Sequence, residues 1–380
     1  MPTTSSRTPS DPQRKLLTGF RRARKPDYLA LVTTGKVRPR RTAPLTVIVP
    51  AYNEAESIAD TIRSLQAQTI QPEEIVVVDD GSSDETGAVA RALGVTVVRP
   101  QVGTGSKAGA QNFALSQVGT EFTMAIDADT TLAPDAIEKL LAALDAPGVA
   151  AACGFVIPRN VGTLWERGRY IEYLFAFSFY KQVQDYYEKP LIASGCFSMY
   201  KSKSLIAHGG WETRTLAEDM DLTWSLYEAG EKVRFVPEAF CYPIEPQTYQ
   251  FMSRQLKRWS HGFVQNVRLH WRGVLGVPYL RSAVAVSLWD ATLAAVIYLL
   301  LLPVLAIYFR SPWMLLGYVI DAPALMIPVL AAAIPRGETK RALASMPAFF
   351  VLRTVNAVFF LRAVFSELLG RGFHTYEKGH

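Results

Sequence analysis

The chain has 380 residues, enough for two domains or for one domain with an appendage, because a globular unit typically takes roughly 100 to 200 residues. Its formal net charge is +6, but residues 1–43 hold eleven Lys or Arg and two Asp, which leaves the remainder near −3. The basic character therefore belongs to the N-terminal segment and not to the fold, and we expect no nucleic-acid partner. Cys153, Cys196 and Cys241 are widely spaced and odd in number, which argues against a metal site or a disulfide framework and indicates a reducing compartment.

Residues 1–43 are the first predicted unit, a basic N-terminal arm. The segment lacks the apolar core of a secretory signal, so we expect the N-terminus to stay in the cytoplasm. Its composition favours a solvated, disordered arm. Alternatively, RRARK (21–25) with the nearby Leu16, Leu17 and Phe20 binds anionic lipid head groups.

Residues 44–245 are predicted to form a cytoplasmic α/β domain. Four runs typical of strands, LTVIVP, EIVVVDD, VTVVR and EFTMAID, are each followed by a helical pattern. Alternation of this kind predicts parallel strands joined by crossover helices, and hence a mostly parallel sheet. In such open sheets ligands bind beyond the carboxyl ends of the strands, so the residues at those ends are the candidates for function.

Acidic residues follow three of these four predicted strands. They are Glu54, beside Tyr52, after the first strand, Asp79 and Asp80 after the second, and Asp127 and Asp129 after the fourth. Bundled carboxylates suit a divalent cation, which in turn would hold a nucleotide diphosphate. Asp127 and Asp129 are two residues apart at a strand end, so both side chains project the same way and can reach one ion.

Glu218 and Asp219 stand at the start of a predicted helix that places Leu222, Leu226 and Tyr227 on one face. Acidic residues in a first helical turn commonly complement the helix dipole. The alternative is that one of these carboxylates lies near the metal without binding it and acts as the general base for an incoming hydroxyl.

Residues 246–282 are predicted to be an amphipathic interfacial helix region. If the segment from Gln247 onward is helical, then Gln255, Arg258 and Trp259 of QLKRW share one face. That face offers an amide, a fork of cationic donors suited to a phosphate, and a flat ring on which a sugar can stack. The alternative is a helix that simply lies at the lipid head groups.

Residues 283–369 are predicted to hold three transmembrane helices, and residues 370–380 a short tail. The apolar runs are 291–309, 313–334 and 342–369, each long enough to cross a hydrocarbon layer of about 30 Å. The third run is interrupted by Arg353 and Arg362, and a re-entrant or interfacial segment is its alternative. Charges at membrane depth are costly, so we expect Arg353 to pair with Asp290 or Asp321.

Lys and Arg accumulate in the segment before the first apolar run and in RGETKR between the second and third, while FRSP between the first two is nearly bare. Short basic loops mark the cytoplasmic side of a membrane. The sequence therefore predicts a multi-pass protein of the cell membrane, with a cytoplasmic catalytic domain and a C-terminus outside.

Six motifs in order resemble one family: VIVPAYNEAESI, VVVDDGSSDET, GSKAGAQNFAL, AIDADT, LAEDMDL and QLKRW. The chain is similar to the membrane-integrated glycosyltransferases of family 2, which include cellulose, chitin and hyaluronan synthases. The resemblance covers about residues 44–270 in motifs. It implies an A-type glycosyltransferase domain with a Rossmann-like sheet, followed by an interfacial helix and transmembrane helices.

The resemblance also implies roles for individual residues. Donor binding would fall to Tyr52, Glu54, Asp79 or Asp80, Lys107, Asp127, Asp129, Gln255, Arg258 and Trp259. Among these, Asp127 and Asp129 would place a Mg²⁺ or Mn²⁺ ion. Asp219 would be the base, and Ser194, Gly195 and Trp259 would contact the acceptor.

The chain departs from the family pattern at two places. Ala217 stands where the family commonly has Thr, and no apolar span precedes the predicted catalytic domain, whereas the large polymer synthases have such spans. Three spans are few for moving a polymer across a membrane, so translocation would require a homo-oligomer.

The resulting prediction is an inverting transferase that moves a sugar from a nucleotide-sugar, UDP-linked by resemblance, to a glycan or lipid-linked hydroxyl acceptor. It would be metal-dependent and would make a β-linked product if the donor is α-linked. One alternative is a single transfer to a polyprenyl phosphate, lipid or protein. Others are a nucleotidyltransferase and a catalytically silent relative.

Overall fold

The computed structural model describes residues 41–370, and these form an α/β domain followed by long apolar helices. Most of the predicted arm (residues 1–40) and of the tail (371–380) lie outside the described residues. The strands are β1 (Arg41–Ala51), β2 (Ile70–Asp79), β3 (Thr96–Val98), β4 (Phe122–Ile126), β5 (Thr131–Leu132), β6 (Val149–Val156), β7 (Phe197–Lys201) and β8 (Lys232–Tyr242). Because β1 begins at Arg41, the last residues of the predicted arm are part of the sheet.

The helices of the α/β domain connect these strands. They are α1 (Ile58–Gln66), α2 (Thr86–Ala92), α3 (Lys107–Leu115), α4 (Ala136–Leu144), α5 (Leu164–Phe175), α6 (Lys181–Tyr186), α7 (Ser202–Ala207) and α8 (Glu218–Glu228). A π-helical segment, Ala176–Tyr180, joins α5 to α6. The four predicted strand and helix pairs are confirmed, each helix following its strand.

The strands form one eight-stranded sheet in the order β3-β2-β1-β4-β7-β6-β8-β5. The first four are parallel, as the alternating pattern predicts, and the apolar runs of β1, β2 and β4 are buried because helices cover the sheet. In the other half, β7 runs antiparallel to both β4 and β6, and β5 antiparallel to β8. Four of the seven pairings are parallel, so the sheet is mixed, with its antiparallel strands in the second half.

The parallel half explains why the predicted acidic residues meet. The carboxyl ends of β1, β2 and β4 lie at one edge of the sheet, because neighbouring parallel strands end on the same side. Asp80 follows β2 there, with its N–H donating to the carbonyl of Ala51 at 2.9 Å. Asp127 follows β4 at the same edge.

Beyond the α/β domain the chain is helical. The segments are α9 (Tyr249–Gly276), α10 (Leu280–Val296), a π-helical turn (Ile297–Leu301), α11 (Leu302–Tyr308), a 3₁₀ helix (Pro312–Val319), α12 (Ala322–Ala333) and α13 (Thr339–Leu368). Three stretches are long and apolar enough to cross a membrane: Leu280–Tyr308, Pro312–Ala333 and Thr339–Leu368. Each stretch begins ahead of its predicted apolar run and ends one residue before the end of that run.

One ionisable pair lies within these apolar segments, as predicted. Arg353 of α13 donates to Asp321, which precedes α12, and its guanidinium carbon lies 4.9 Å from the ring centre of Tyr298. Of the two aspartates that the sequence left open, Asp321 is therefore a partner of Arg353. The pairing lowers the cost of keeping a charge in apolar surroundings.

Candidate active site

A cavity of about 560 Å³ opens at the carboxyl ends of the parallel strands and is closed on one side by α9. Its lining includes ten of the charged, polar or aromatic residues nearby: Tyr52, Glu54, Asp80, Ser106, Lys107, Asp127, Asp129, Phe251, Gln255 and Arg258. Eight of these are predicted site residues, brought together from segments more than 200 positions apart. The cavity is large enough for a small-molecule ligand, which typically occupies roughly 300 to 1,000 Å³.

Asp127 and Asp129 both line the cavity, as does the buried Ala128 between them. β4 ends at Ile126, and a turn closed by the Thr130 N–H donating to the Asp127 carbonyl at 3.1 Å brings the two aspartates to the cavity, where the sequence predicted extended backbone. Asp127 forms an ion pair with Lys107. The Asp129 loop is held by its main chain, because Arg159 Nη2 donates to the Asp129 carbonyl at 2.7 Å.

Lys107 connects the cavity to the loop before β7. It is the first residue of α3, whose N-terminus is capped by Ser106, and its side chain is only 12 % exposed. Besides pairing with Asp127, Nζ donates to the Gly195 carbonyl at 3.0 Å and lies 3.8 Å from Oε1 of Glu218. A cation in this position can neutralise a phosphate placed beside Asp127.

Asp80, rather than Asp79, reaches the cavity. Asp80 accepts hydrogen bonds from the Thr104 N–H at 2.6 Å and the Thr104 hydroxyl at 2.9 Å. Asp79 is 2 % exposed and points the other way, where it accepts from the Ser82 N–H at 3.0 Å and from Arg99 at 3.2 Å. Neighbouring residues of a strand face opposite sides, so only one of the pair can face the ligand.

Tyr52 and Glu54 occupy the loop after β1 and differ in exposure. Tyr52 is 41 % exposed at the cavity, which suits a ring that stacks on a ligand. Glu54 is 7 % exposed and accepts from the Ser57 hydroxyl at 2.7 Å, while its N–H donates to Thr86 at the same distance. Glu54 thus fixes the loop as well as lining the cavity.

Asp219 lies in the first turn of α8, next to the loop that Lys107 contacts. Its Oδ2 accepts from the Gly195 N–H at 2.7 Å and its Oδ1 from the Met220 N–H at 2.9 Å. Gly195 therefore touches both sides of the site, with its carbonyl on Lys107 and its N–H on Asp219. This brings the predicted base within one residue of a cavity-lining cation.

Gly195 leaves no room for a side chain. A Cβ at this position would lie 2.7 Å from Asp219 Oδ2 and 3.2 Å from Lys107 Nζ. We therefore expect Gly195→Ala to lower turnover by about tenfold or more, because it displaces these two groups. Steady-state kinetics with a thermal melt would test this, with Gly119→Ala, which has open space around it, as the control. Unchanged turnover would contradict the tight packing.

Glu218 belongs to the same cluster, although the motif analysis assigned its neighbour Asp219 alone. It is 5 % exposed, and burial raises the pKa of its carboxyl, with Asp219 adding to the increase and Lys107 and Arg258 opposing it. Arg258 is thus close enough to act on an acid of α8 across the site. Only the fold brings these segments together.

Gln255 and Arg258 project from α9 into the cavity, as their shared helix face predicts. Trp259 lies outside the cavity lining that the described residues form, and the guanidinium carbon of Arg169 is 4.4 Å from the centre of its ring. Arg169 is fully buried, and its Nη2 donates to Gln255 Oε1 at 2.7 Å. Arg169 of α5 therefore contacts both Gln255 and Trp259 of QLKRW.

Arg169 and its partner Glu245 are two residues of the site that the sequence motifs did not predict. The Arg169 Nε atom is 3.5 Å from Oε2 of Glu245, and burial raises the pKa of that carboxyl to about 7, against the lowering effect of Arg169. Glu172 also pairs with the arginine. The sequence offered one signal for this cluster: Arg169 stands directly before the aromatic run 170–180. A charged residue that is buried with such a run needs buried partners.

Arg169→Met is expected to destabilise the fold by about 3 kcal/mol or more, because it leaves the buried Glu245 without its cationic partner. The methionine side chain fills most of the space that the arginine side chain leaves, so the loss of charge is the main change. Chemical denaturation of the detergent-solubilised protein would measure this, with Arg63→Met, whose side chain is 64 % exposed, as the control. Equal stability of the two variants would show that Arg169 is dispensable.

Ser194 and Gly195 form the loop before β7, and the Ser194 hydroxyl accepts from Lys181 Nζ at 2.7 Å. Lys181 is 6 % exposed and holds the loop from α6. Ala217, the departure from the family pattern, packs against α9: a Cβ on Gly262 would be 2.7 Å from the Ala217 Cβ. A small residue at 217 therefore allows α9 to approach α8 closely.

The donor set fits a divalent cation that takes part of its coordination from a ligand. Within residues 41–370, no group of three or more His, Cys, Asp or Glu side chains is arranged to hold a metal. Asp127 and Asp129 are two of the four carboxylates in the cavity lining, with Glu54 and Asp80. Mg²⁺ is commonly held by one or two carboxylates, with substrate phosphates and water completing its shell.

Comparisons with known proteins identify chains that are similar to this one. The chain is 28 % identical over 223 residues to the poly-β-1,6-N-acetyl-D-glucosamine synthase of Staphylococcus aureus strain COL, a match covering 57 % of this chain and 54 % of the relative. The synthase of the same name from Staphylococcus epidermidis matches with the same identity and coverage. The chain thus spans about half the length of these relatives.

The fold has a counterpart among solved structures. The mannosyltransferase PcManGT from Pyrobaculum calidifontis, in complex with GDP-Man and Mn²⁺, superposes with a TM-score of 0.55 at 22 % identity, covering 90 % of this chain and 93 % of that one. Residues 46–209 match the Glycosyl transferase family 2 pattern, a range that contains the end of β1, all of β2 to β7, and the three aspartates of the cavity lining. The chain therefore carries a glycosyl transferase family 2 domain.

Proposed function

We propose that this protein is an inverting, membrane-bound glycosyltransferase that moves a sugar from a nucleotide-sugar to a hydroxyl acceptor. The carrying observation is the position of Lys107, which pairs with Asp127 in the cavity and also binds Gly195, the residue whose N–H holds Asp219. A diphosphate-binding group and a base are thereby joined through one loop. That arrangement suits a displacement in which the leaving group and the attacking hydroxyl lie on different sides of a sugar.

The donor's diphosphate is proposed to lie between Lys107, Arg258 and the Asp127–Asp129 pair, with the nucleoside toward Tyr52 and Asp80. Mg²⁺ or Mn²⁺ held by the two aspartates would supply positive charge to the diphosphate as it leaves. The presence of GDP-Man and Mn²⁺ in the PcManGT complex supports a metal-dependent nucleotide-sugar site. We take a UDP-sugar as the donor and a GDP-sugar as the alternative.

The proposed chemistry is a single displacement. The acceptor oxygen bonds to the anomeric carbon, the bond from that carbon to the diphosphate oxygen breaks, and Asp219 takes the acceptor's proton. Lys107 and Arg258 stabilise the negative charge that grows on the diphosphate, an effect that is large where water is excluded. Attack opposite the leaving group converts an α-linked donor into a β-linked product.

The acceptor is proposed to be the end of a growing glycan. The similarity to poly-β-1,6-N-acetyl-D-glucosamine synthases supports polymer formation, as do Gln255, Arg258 and Trp259 in one helix beside the cavity. The three apolar stretches support a membrane location, with the catalytic domain on the cytoplasmic side where nucleotide-sugars are made.

Purified protein, a panel of UDP- and GDP-sugars and Mg²⁺ or Mn²⁺ would test this proposal, with mass spectrometry of the products. We expect one donor to yield free nucleoside diphosphate and an elongating β-linked glycan. A product that carries the nucleotide would identify a nucleotidyltransferase instead, and addition of one sugar to a lipid would overturn the polymer assignment. Absence of transfer from every donor tested would refute the proposed glycosyltransferase activity.

A further inference from the structure

The two ends of the third apolar stretch, α13, bear on whether this helix crosses the membrane. Its 30 residues make a helix about 45 Å long, more than enough to cross a bilayer. A helix that crosses must have its ends on opposite sides of the membrane. The contacts of its two ends therefore decide its orientation.

The N-terminal end of α13 lies against the α/β domain. Glu338, just before the helix, accepts a hydrogen bond from the Tyr170 hydroxyl of α5 at 3.1 Å. Two residues earlier, the guanidinium carbon of Arg336 lies 4.9 Å from the ring centre of Phe155 in β6 and 5.5 Å from that of Phe240 in β8. This end thus touches side chains of the central sheet.

The middle of α13 crosses α5 at close range. A Cβ on Gly168 would come within 3.0 Å of the Ala348 carbonyl and of the Leu352 Cβ, so glycine permits the contact. Further along, Asn356 Nδ2 donates to Glu172 at 3.1 Å. Glu172 is the same residue that pairs with the buried Arg169.

The C-terminal end of α13 lies against α9, the helix that lines the cavity. Glu367, 7 % exposed, contacts His261 Nδ1 at 2.9 Å and accepts from Gln265 Nε2 at 2.9 Å. Gln265 in turn accepts from the Leu216 N–H, three residues before Asp219. A buried carboxylate with two such partners fixes this end of the helix beside the active site.

Both ends of α13 therefore contact the domain that holds the cavity, and we propose that α13 lies along the membrane interface instead of crossing it. The outward face of α13 would contact the lipids at the boundary between their head groups and acyl chains. This inference rests on the membrane location in the proposed function, and is independent of the chemistry. The interfacial position puts residue 369 on the same side of the membrane as the catalytic domain. The three-span interpretation instead predicts a C-terminus on the outer side.

The outward face of α13 suits that boundary. Leu343, Val351 and Phe365 are 46 %, 43 % and 62 % exposed and recur along one stripe of the helix, while Lys340 and Arg362 are exposed beside them. Apolar side chains reaching the acyl region, with Lys and Arg beside head-group phosphates, are typical of helices that lie in the interface. The flanking apolar stretches 280–308 and 312–333 bring the stripe to the same bilayer.

Single-cysteine labelling would test the orientation in sealed membrane vesicles of known sidedness. The three native cysteines are replaced by Ser or Ala, and Cys is placed at Lys340, at Leu369 and, as the marker for the catalytic side, at Asp145 of the α/β domain. We expect a membrane-impermeant maleimide to label all three from one side. Labelling of Leu369→Cys from the side opposite to Lys340→Cys would overturn the proposal.

The depth of the stripe supplies a second measurement that needs no catalytic activity. Bimane attached at Val351→Cys and at Phe365→Cys is expected to be quenched more by lipids with a nitroxide near the head group than by lipids with one near the chain end. Preferential deep quenching at position 351 would indicate a span. No quenching by either lipid would show a protein-covered surface, such as an interface between copies, and would also refute the proposal.

Because these readouts do not depend on turnover, they separate the two proposals. An active transferase in which Leu369→Cys is labelled from outside would refute the orientation of α13 alone. A protein with the expected labelling and no transfer from any donor would refute the proposed function alone.

Discussion

Asp219→Asn is expected to abolish sugar transfer and to leave donor binding intact. The amide has the shape of the carboxylate, and its oxygen can still accept from the Gly195 N–H, but it cannot take a proton from the acceptor hydroxyl. A positioned general base typically contributes about 10²- to 10⁴-fold to the rate, so kcat should fall by that factor. Transfer assays in nanodiscs, with donor affinity measured by calorimetry, would give both quantities.

Asp145→Asn is the matched control, because it makes the same chemical change on an exposed carboxylate at the end of α4. It should keep full turnover. Unchanged turnover in Asp219→Asn would eliminate Asp219 as the base, and Glu218→Gln would then test the adjacent buried carboxyl, which lies 3.8 Å from Lys107.

Asp129→Ala is expected to remove the metal dependence of donor binding. With Mg²⁺ or Mn²⁺ present, the affinity for nucleoside diphosphate should fall by about 100-fold or more, a loss of about 2.7 kcal/mol, because one of the two carboxylates proposed to hold the ion is gone. The loop should persist, since Arg159 binds the main-chain carbonyl of Asp129 and not its side chain. Calorimetric titration with UDP and with GDP would measure the change.

Chelation provides the internal comparison for this variant. With EDTA, wild type and Asp129→Ala should bind the nucleotide equally weakly. Glu56→Ala is the control, because Glu56 is exposed and close in sequence to Tyr52 and Glu54 but lies outside the cavity lining. A full metal response in Asp129→Ala would exclude Asp129 as a ligand.

The parallel half of the sheet was predictable because its signals are local. Each strand is a short β-branched run, each helix follows within a few residues, and the rule that parallel strands end on one side brings Asp80 and Asp127 together. The interior of the second half was less predictable. Strands β6 and β8 pair across more than 70 residues of chain, and β7 inserts antiparallel beside β6, a choice that local pattern does not encode.

Choosing between adjacent or distant side chains required the fold. Sequence left Asp79 and Asp80 as alternatives, since both follow the same strand, and packing against Arg99 turns Asp79 away from the cavity. Arg169 and Gln255 meet across 86 positions, and His261 and Glu367 across 106. Hydropathy alone cannot show such contacts, because it records what a helix is made of and not what covers it.

The sequence by itself determined the α/β domain, the acidic edge of its sheet, the polar face of QLKRW and the three apolar stretches, because each depends on spacing within a few residues. The tertiary structure decided which aspartate faces the ligand, which buried arginine holds Gln255, and that both ends of α13 lie against the catalytic domain. These outcomes depend on burial and on long-range pairing. An apolar helix of sufficient length is compatible with crossing a membrane or lying on it, and only its neighbours distinguish the two.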